Sequence, residues 1–319
     1  MPKFKLPPRL PFSRLGVAGL GLIGGSLTKA LMPFGGLELS VFDADPETIR
    51  EAKKIKRLAR ATVDPDEFLS WPFDLIYLCL PVRRNVEFVR RLGRLALNCA
   101  VTDSGSTKVP VTEAALEAGL NFCGGHPIAG KEVAGFKHSS AELVKGCLFV
   151  LTPDERFGPR QKELLGRLKN LHQLLGCRLR VISPAEHDRI YALVSHLPYL
   201  SASALAGTAL FEGGEEALAW AGTGFRDSTR VGASPPAKWV EVAMENADNL
   251  VEDLGRLMDV LDRIRSLIRN RQADELAALL ERISAYRRRL DREPPGGADA
   301  GQRRRPDRPQ PGERAVRKT

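Results

Sequence analysis

Apolar and polar positions follow two regimes along the chain. From Leu15 onward, short apolar runs alternate with longer amphipathic stretches. Leu15-Gly16-Val17-Ala18-Gly19 has the character of a buried strand, and similar runs occur at residues 37–42, 74–80, 99–102, 121–123, 147–151 and 177–182. Helix-like segments lie between them at 25–32, 46–60, 86–96 and 159–175. Strands alternating with helices predict a mostly parallel sheet covered on both faces.

The pattern changes at Ser183. Ser183-Pro184-Ala185-Glu186 is a capping box with proline at the first helical position. A long helix is predicted from 184 to 210, kinked at Pro198. A second is predicted from 236 to 268, with apolar residues at three- and four-residue steps (Val240, Ala243, Ala247, Leu250, Leu254, Leu257, Leu261, Ile264, Ile268). That stripe suits packing against helices of a second subunit, and periodicity alone equally allows an intrachain bundle. A last helix is predicted over 274–290. The expected organisation is α/β then all-α. A flexible tail (1–13) precedes a nucleotide-binding Rossmann-type domain (14–182). A helical dimerisation and substrate domain (183–291) and a disordered basic tail (292–319) follow.

Composition refines this picture. The chain has 319 residues and a net charge of +9, with 43% hydrophobic residues, enough for a sizeable core and too many for wholesale disorder. The charge suggests a polyanionic partner until it is located. Residues 1–14 carry four basic side chains and no acid. Residues 291–319 carry eight basic and five acidic side chains. The 276 residues between them therefore hold 9 − 4 − 3 = +2. The body is nearly neutral, which argues against a specific nucleic-acid partner. No apolar run approaches the ~18 residues of a membrane span, and the N-terminus lacks a signal-peptide core. Five widely spaced cysteines without C-x-x-C fit reduced thiols in a cytoplasmic protein. No His or Cys spacing suggests a metal site.

Gly19-Leu20-Gly21-Leu22-Ile23-Gly24 fits G-x-G-x-x-G after a predicted strand and ahead of a helix, the context dinucleotide binding requires. Asp43, nineteen residues past Gly24, ends the second predicted strand, where a carboxylate accepts the ribose hydroxyls and repels a 2′-phosphate. No Arg or Lys lies between Ser40 and Ile49, so NAD is favoured over NADP. Asp45 is a rival for the ribose role and also suits a turn before Pro46. Candidate cofactor contacts are Gly19, Gly21, Leu22, Ile23, Gly24, Asp43, Leu80, Pro81 and Ser104. Downstream, Asp103-Ser104-Gly105-Ser106-Thr107-Lys108 and Gly124-Gly125-His126-Pro127-Ile128-Ala129-Gly130 read as loops at the nucleotide edge of the sheet. Glycines on both sides of His126 suit a loop approaching a ligand, and a histidine there could take a proton from a substrate hydroxyl. In the helical half, Asp188 and Ser195 are seven apart, two helical turns on one face. Two arginines in Gly-Thr-Gly-Phe225-Arg226-Asp-Ser-Thr-Arg230-Val-Gly suit an anionic substrate.

Five ordered motifs, GLGLIGGS (19–26), DSGSTK (103–108), GGHPIAGKE (124–132), EHDRIYALVSHLPY (186–199) and FRDSTR (225–230), resemble the prephenate/arogenate dehydrogenase family of tyrosine biosynthesis over roughly residues 14–290. The resemblance implies a modified Rossmann domain, a helical domain through which two subunits intertwine, and NAD-dependent oxidative decarboxylation of prephenate to 4-hydroxyphenylpyruvate. Arogenate, giving tyrosine, and dual specificity are the alternatives. It implies that His126 assists deprotonation of the ring hydroxyl and that Ser106 orients that pair. Arg230 would bind the substrate carboxylate, Glu132 would join a polar gating network, and Asp188 would support the helical side of the site. Trp239 would reach toward the partner subunit's site. Lys131 and His196 complete the candidate substrate-binding set. Tyr199 stands where the family often has histidine, which implies altered tyrosine inhibition. Lys131 cancels the charge of Glu132, and this balance favours prephenate over the ammonium-bearing arogenate. Two rival readings are another Rossmann-type hydroxyacid dehydrogenase and a non-enzymatic NAD-sensing regulator. The first would want a catalytic lysine in the helical half, where Lys238 is the sole lysine between 184 and 292 and lies in no glycine-rich loop.

Overall fold

A computed structural model describes residues 10–95, 97–130 and 133–291. β1 (Arg14–Ala18) leads through the glycine turn into α1 (Leu22–Leu31) and on to β2 (Glu38–Phe42). There follow α2 (Pro46–Ala52), β3 (Arg60–Thr62), α3 (Pro65–Leu69), β4 (Leu75–Leu78), α4 (Val82–Arg94), β5 (Ala100–Asp103), α5 (Val109–Glu117) and β6 (Asn121–Phe122). These six strands form one parallel sheet in the order β3-β2-β1-β4-β5-β6. Its two faces feed separate cores, because side chains alternate along a strand. Leu15, Val17, Leu75 and Tyr77 pack on one side with Leu27 and Leu31 of α1. Ala18, Ile76 and Leu78 pack on the other with Phe88 of α4 and Val111 of α5. Burial on both faces explains why β1, β2, β4 and β5 read as continuous apolar runs.

The expectation of one sheet needs correction. β7 (Gly124–Ile128), β8 (Leu148–Thr152) and, after α6 (Pro159–Leu174), β9 (Arg178–Val181) form a second sheet. β7 runs antiparallel to β8, and β8 parallel to β9. The predicted helix 46–60 stops at Ala52, and residues 60–62 form a strand that pairs with β2.

The helical half opens with α7 (Pro184–Tyr191), whose N-cap Ser183 accepts a hydrogen bond from the Glu186 N–H at 3.2 Å. It does not run on to 210 as one α-helix. Residues Ala192–His196 form a π-helical turn in which the Leu197 N–H reaches the Ala192 carbonyl. The turn sits ahead of Pro198, which lacks an N–H to donate. The chain continues through α8 (Leu197–Gly213), α9 (Glu216–Ala219), α10 (Thr223–Thr229), a 3-10 turn (Arg230–Ala233), α11 (Pro236–Glu245) and α12 (Ala247–Arg269). The helix expected over 236–268 is thus two, broken at Asn246, whose backbone (φ −125°, ψ 31°) leaves the helical region.

By packing, the chain divides into two compact units between Arg265 and Ser266. In the second, the end of α12 turns at Arg271, in the left-handed region at φ 56°, into α13 (Ala273–Leu290). Leu280, Ile283, Tyr286 and Leu290 are exposed on it. In the first, Phe211, Trp220, Val251 and Leu261 are exposed on helical elements or beside them. The N-terminal tail expected to run to residue 13 is packed from Leu10 onward. Leu10 and Phe12 are buried in the core, and the Arg167 guanidinium lies 4.1 Å from the Phe12 ring and donates to the Pro11 carbonyl. The remaining expectations for the tails, residues 1–9 and 292–319, lie outside the described residues. Among the described residues no helix is long and apolar enough to cross a membrane.

Candidate active site

The nucleotide edge is built by the chain reversals after β1, β2, β4 and β5. β1 and β4 are neighbours in the sheet but not in sequence, so the crevice of a doubly wound fold opens between them. Gly19 has φ +93°, and a Cβ there would lie 2.7 Å from the Cys79 carbonyl oxygen. A Cβ at Gly24 would fall 1.9 Å from the Gly19 carbonyl oxygen, so the loop and α1 can approach only with glycine there. Gly21 faces open space, as a residue beside an incoming pyrophosphate must. Gly21 is the N-cap of α1 and offers no side-chain cap, leaving the first N–H groups, including those of Leu22 and Ile23, to an anion. Asp43 follows β2 and accepts from the Leu20 N–H at 2.6 Å and the Asp45 N–H at 2.9 Å, tying the end of β2 to the glycine turn. Asp45 instead caps α2 by accepting from the Glu47 and Thr48 N–H groups. Leu80 donates its N–H to the Asn85 side chain, Pro81 is the N-cap of α4, and the Ser104 N–H bonds to the Leu78 carbonyl. All lie at the C-terminal edge of the parallel sheet. The residues present fit a dinucleotide.

His126 lies on β7, not in a loop, opposite Val150 of β8. Its glycines serve packing. A Cβ at Gly124 would lie 2.3 Å from the Thr152 hydroxyl, and one at Gly125 would lie 2.8 Å from the Asp103 carbonyl oxygen. β7 is locked to the end of β5 by a buried ion pair. The Lys108 ammonium contacts the Asp103 carboxylate and donates to the Gly125 carbonyl at 2.7 Å. Asp103 in turn accepts from the Gly125 N–H at 3.1 Å and the Gly105 N–H at 2.8 Å. The two ends of the DSGSTK motif therefore hold the histidine strand.

The partner of His126 is His187. His126 Nδ1 is 2.9 Å from His187 Nε2, and His187 Nδ1 is 2.7 Å from the Asp188 carboxylate. Asp188 also accepts from the Lys108 N–H at 2.7 Å and the Val109 N–H at 2.8 Å, capping α5. The chain of bonds assigns the tautomers. An ionised carboxylate only accepts, so His187 donates from Nδ1 and accepts at Nε2. His126 must then donate from Nδ1, which leaves Nε2 with a lone pair and no partner among the described residues. Tyr191 flanks both rings, with centroids 5.1 Å from His126 and 4.5 Å from His187. Desolvation, then the neighbouring His187 and Lys108, holds His126 well below the ordinary histidine value, so it is neutral near pH 7. Desolvation lowers His187 too, partly opposed by its bond to Asp188.

The other candidates separate. Ser106 lies on the loop after β5 and is not the hydrogen-bond partner of His126 Nδ1, which His187 occupies. Asp188, expected among the substrate contacts, is 2% exposed, and its carboxylate is taken up by His187 and α5. The π-helical turn breaks the shared face expected for Asp188 and Ser195, and brings His196 inward instead. The Asn246 amide donates to the Asp188 carbonyl at 2.8 Å and contacts His196 Nδ1 at 3.2 Å, leaving His196 Nε2 buried without a partner among the described residues. Burial holds His196 down to about 4. Trp239, expected to reach toward a partner subunit, stacks on Tyr199 of its own chain at 4.2 Å and 6°. Arg230 opens the 3-10 turn that packs on α8. Lys131 and Glu132 lie outside the described residues. The sequence motifs contain His187, Lys108 and Asp103 without assigning them a role, and Asn246 lies in none of them. The adjacent His187-Asp188 pair was the available signal for the first.

Residues 31–181 match the family described as "Prephenate dehydrogenase, nucleotide-binding domain", and residues 183–282 match "Prephenate dehydrogenase, dimerization domain". The chain belongs to the prephenate dehydrogenase family. The glycine turn lies ahead of the first matched stretch, so its assignment rests on the geometry above. The chain is 30% identical over 276 residues to a cyclohexadienyl dehydrogenase of Zymomonas mobilis, covering 83% of this chain and 92% of that protein. Similar solved structures include two dehydrogenases. One is a prephenate dehydrogenase from A. aeolicus in complex with hydroxyphenyl propionate and NAD+ (TM-score 0.82, 29% identity, 89% of this chain and 100% of that one). The other is a Synechocystis arogenate dehydrogenase (TM-score 0.74, 31% identity, 87% and 99%).

Proposed function

We propose that this protein is a cytoplasmic, homodimeric, NAD-dependent dehydrogenase that oxidatively decarboxylates prephenate to 4-hydroxyphenylpyruvate in tyrosine biosynthesis. The observation that carries the reading is the Asp188–His187–His126 chain, which leaves one lone pair, on His126 Nε2, at the nucleotide edge of the sheet. Residues 14–182 serve as the nucleotide domain and 183–291 as the dimerisation and substrate domain. Gly19, Gly21, Leu22, Ile23 and Gly24 hold the pyrophosphate, and Asp43 takes the ribose hydroxyls. Leu80, Pro81 and Ser104 complete the cofactor wall. When bound between these residues, NAD would supply the hydride acceptor for the carbon that carries the ring hydroxyl.

The chain's own residues do the rest. His126 Nε2 accepts the hydroxyl proton. The positive charge then gained by His126 is stabilised through His187 by the Asp188 carboxylate, so the ring never has to rotate to find a counter-charge. Ser106 orients the hydroxyl from the neighbouring loop. Arg230 binds a substrate carboxylate, and His196 offers its unpartnered Nε2–H as a donor. Tyr199 and Trp239 form an aromatic wall on the helical side, Glu132 joins a polar gating network, and Lys131 cancels its charge. Loss of the ring carboxylate as CO₂ and aromatisation make the reaction downhill.

NADH absorbance on mixing the protein with NAD and prephenate tests this reading. The expected result is turnover with prephenate at higher kcat/KM than with arogenate. A preference for arogenate would transfer the assignment to that substrate, and no turnover with either would refute it.

A further inference from the structure

Cys147 and Cys177 immediately precede β8 and β9. The parallel register pairs Leu148 with Arg178, so one residue earlier the two cysteines stand opposite each other. Their backbones are fixed there: the Arg178 N–H donates to the Cys147 carbonyl at 2.8 Å, and the Gly146 N–H to the Gly176 carbonyl at 2.9 Å. The two Sγ atoms are 3.9 Å apart. A disulfide spans about 2.05 Å between sulfurs, and neighbouring strand positions lie within the Cα separation such a bond tolerates, so side-chain rotation can close the gap.

The pair is asymmetric in access. Cys177 is buried and Cys147 is half-buried, so a small reagent meets Cys147 first. It is asymmetric in acidity in the same sense. The hydrogen bond shared with Cys177, then the nearby Arg178 guanidinium, holds the Cys147 thiol below its ordinary value, while Cys177 is held above its own. The remaining cysteines are not poised this way. Burial pushes Cys79 and Cys123 up to about 12 and Cys99 up to about 11.

We propose that Cys147 and Cys177 are a reversible redox pair, oxidised to an intrachain disulfide by hydroperoxides with Cys147 attacked first. The Cys147 thiolate attacks one peroxide oxygen. The O–O bond breaks, the departing oxygen leaves as water or alcohol after protonation, and Cys147 becomes a sulfenic acid. The Cys177 sulfur then attacks the Cys147 sulfur. An S–S bond forms, the S–O bond breaks, and water leaves carrying the Cys177 proton. Two electrons pass from the sulfur pair to the peroxide, and a dithiol reductant returns them. The inference does not depend on the proposed substrate.

The test is peroxide treatment of the full chain, followed by thiol titration and peptide mass spectrometry. The expected result is loss of two of the five thiols per chain. A single cross-linked peptide pair carrying Cys147 and Cys177 should be lighter by two hydrogens and restored by dithiothreitol. Cys147→Ser should abolish the loss. Cys177→Ser should leave a Cys147 sulfenic acid that dimedone traps, with circular dichroism and NADH formation reporting that both variants are folded. An unchanged titre, a cross-link between chains on a non-reducing gel, or oxidation centred on Cys79, Cys99 or Cys123 would overturn the proposal.

Discussion

His126 is basic at one nitrogen because of residues it does not choose locally. Its Nδ1 proton is committed to His187, and His187 is committed to Asp188. Replacing His126 by Asn removes the base but leaves the glycine turn intact. Turnover should fall by about 10²–10⁴-fold while NAD affinity, measured by fluorescence titration, stays near the parent value. The free base is the neutral imidazole, and desolvation moves its titration below the ordinary 6.5. The acid limb of the kcat/KM profile should therefore lie below pH 6.5. A limb above that value would contradict the desolvated base. His172 gives a separate pH effect, on stability. It is fully buried, donates from Nδ1 to the Leu168 carbonyl at 2.7 Å, accepts at Nε2 from the Tyr77 hydroxyl at 3.1 Å, stacks on Phe149, and is pushed down to about 4 by burial. The folded state favours the neutral ring, so this contribution is complete above pH 6.5 and is lost as pH falls from 6.5 to 4, by roughly 3 kcal/mol. Urea midpoints should fall over that window, and less in His172→Gln.

At the scale of elements, the decisive one is β7. Its place beside β5 depends on the Lys108–Asp103 pair, both members of which are buried. Lys108→Met would strand the Asp103 carboxylate without its counter-charge. Breaking one side of a buried pair costs about 3–5 kcal/mol, so the urea unfolding free energy should drop by that order. Turnover should fall with it, because Gly125 loses the ammonium that anchors it next to His126. The strands of the parallel sheet other than the edge strand β3 were legible as apolar runs because both of their faces are covered. β7 was not, since Gly-Gly-His-Pro carries the composition of a turn and becomes a strand only through pairing with β8. The helix break at Asn246 was hidden for a related reason. Asparagine keeps the apolar period unbroken, and its amide is used by the Asp188 carbonyl and His196, 58 and 50 residues upstream.

At the scale of the whole molecule, the helical half carries apolar side chains that the chain itself does not cover. Phe211 is 83% exposed and Trp220 88%. Such exposure is uncommon in a lone soluble chain, and the matched dimerization domain supplies its reason. Light scattering should give about twice the mass of one chain. Phe211→Glu should lower that mass at dilute concentration if this surface is part of the interface. The net charge of +9 has a different place, since the segments holding most of it, 1–14 and 291–319, flank the two matched domains.

By itself, the sequence determined the features that depend on neighbours along the chain. These are the glycine turn with its strand before and helix after, Asp43 at the end of the next strand, the alternation of apolar strands with helices up to residue 182, and the change to helices at Ser183. Each follows from local sterics or from periodicity over a dozen residues. The tertiary structure alone decided which distant side chains meet. It set His187 against His126, buried Lys108 beneath β7, turned His196 inward through a π-helical turn, and brought Cys147 to Cys177. Those pairings depend on strand register and helix packing across 17 to 61 residues, and no local pattern encodes them.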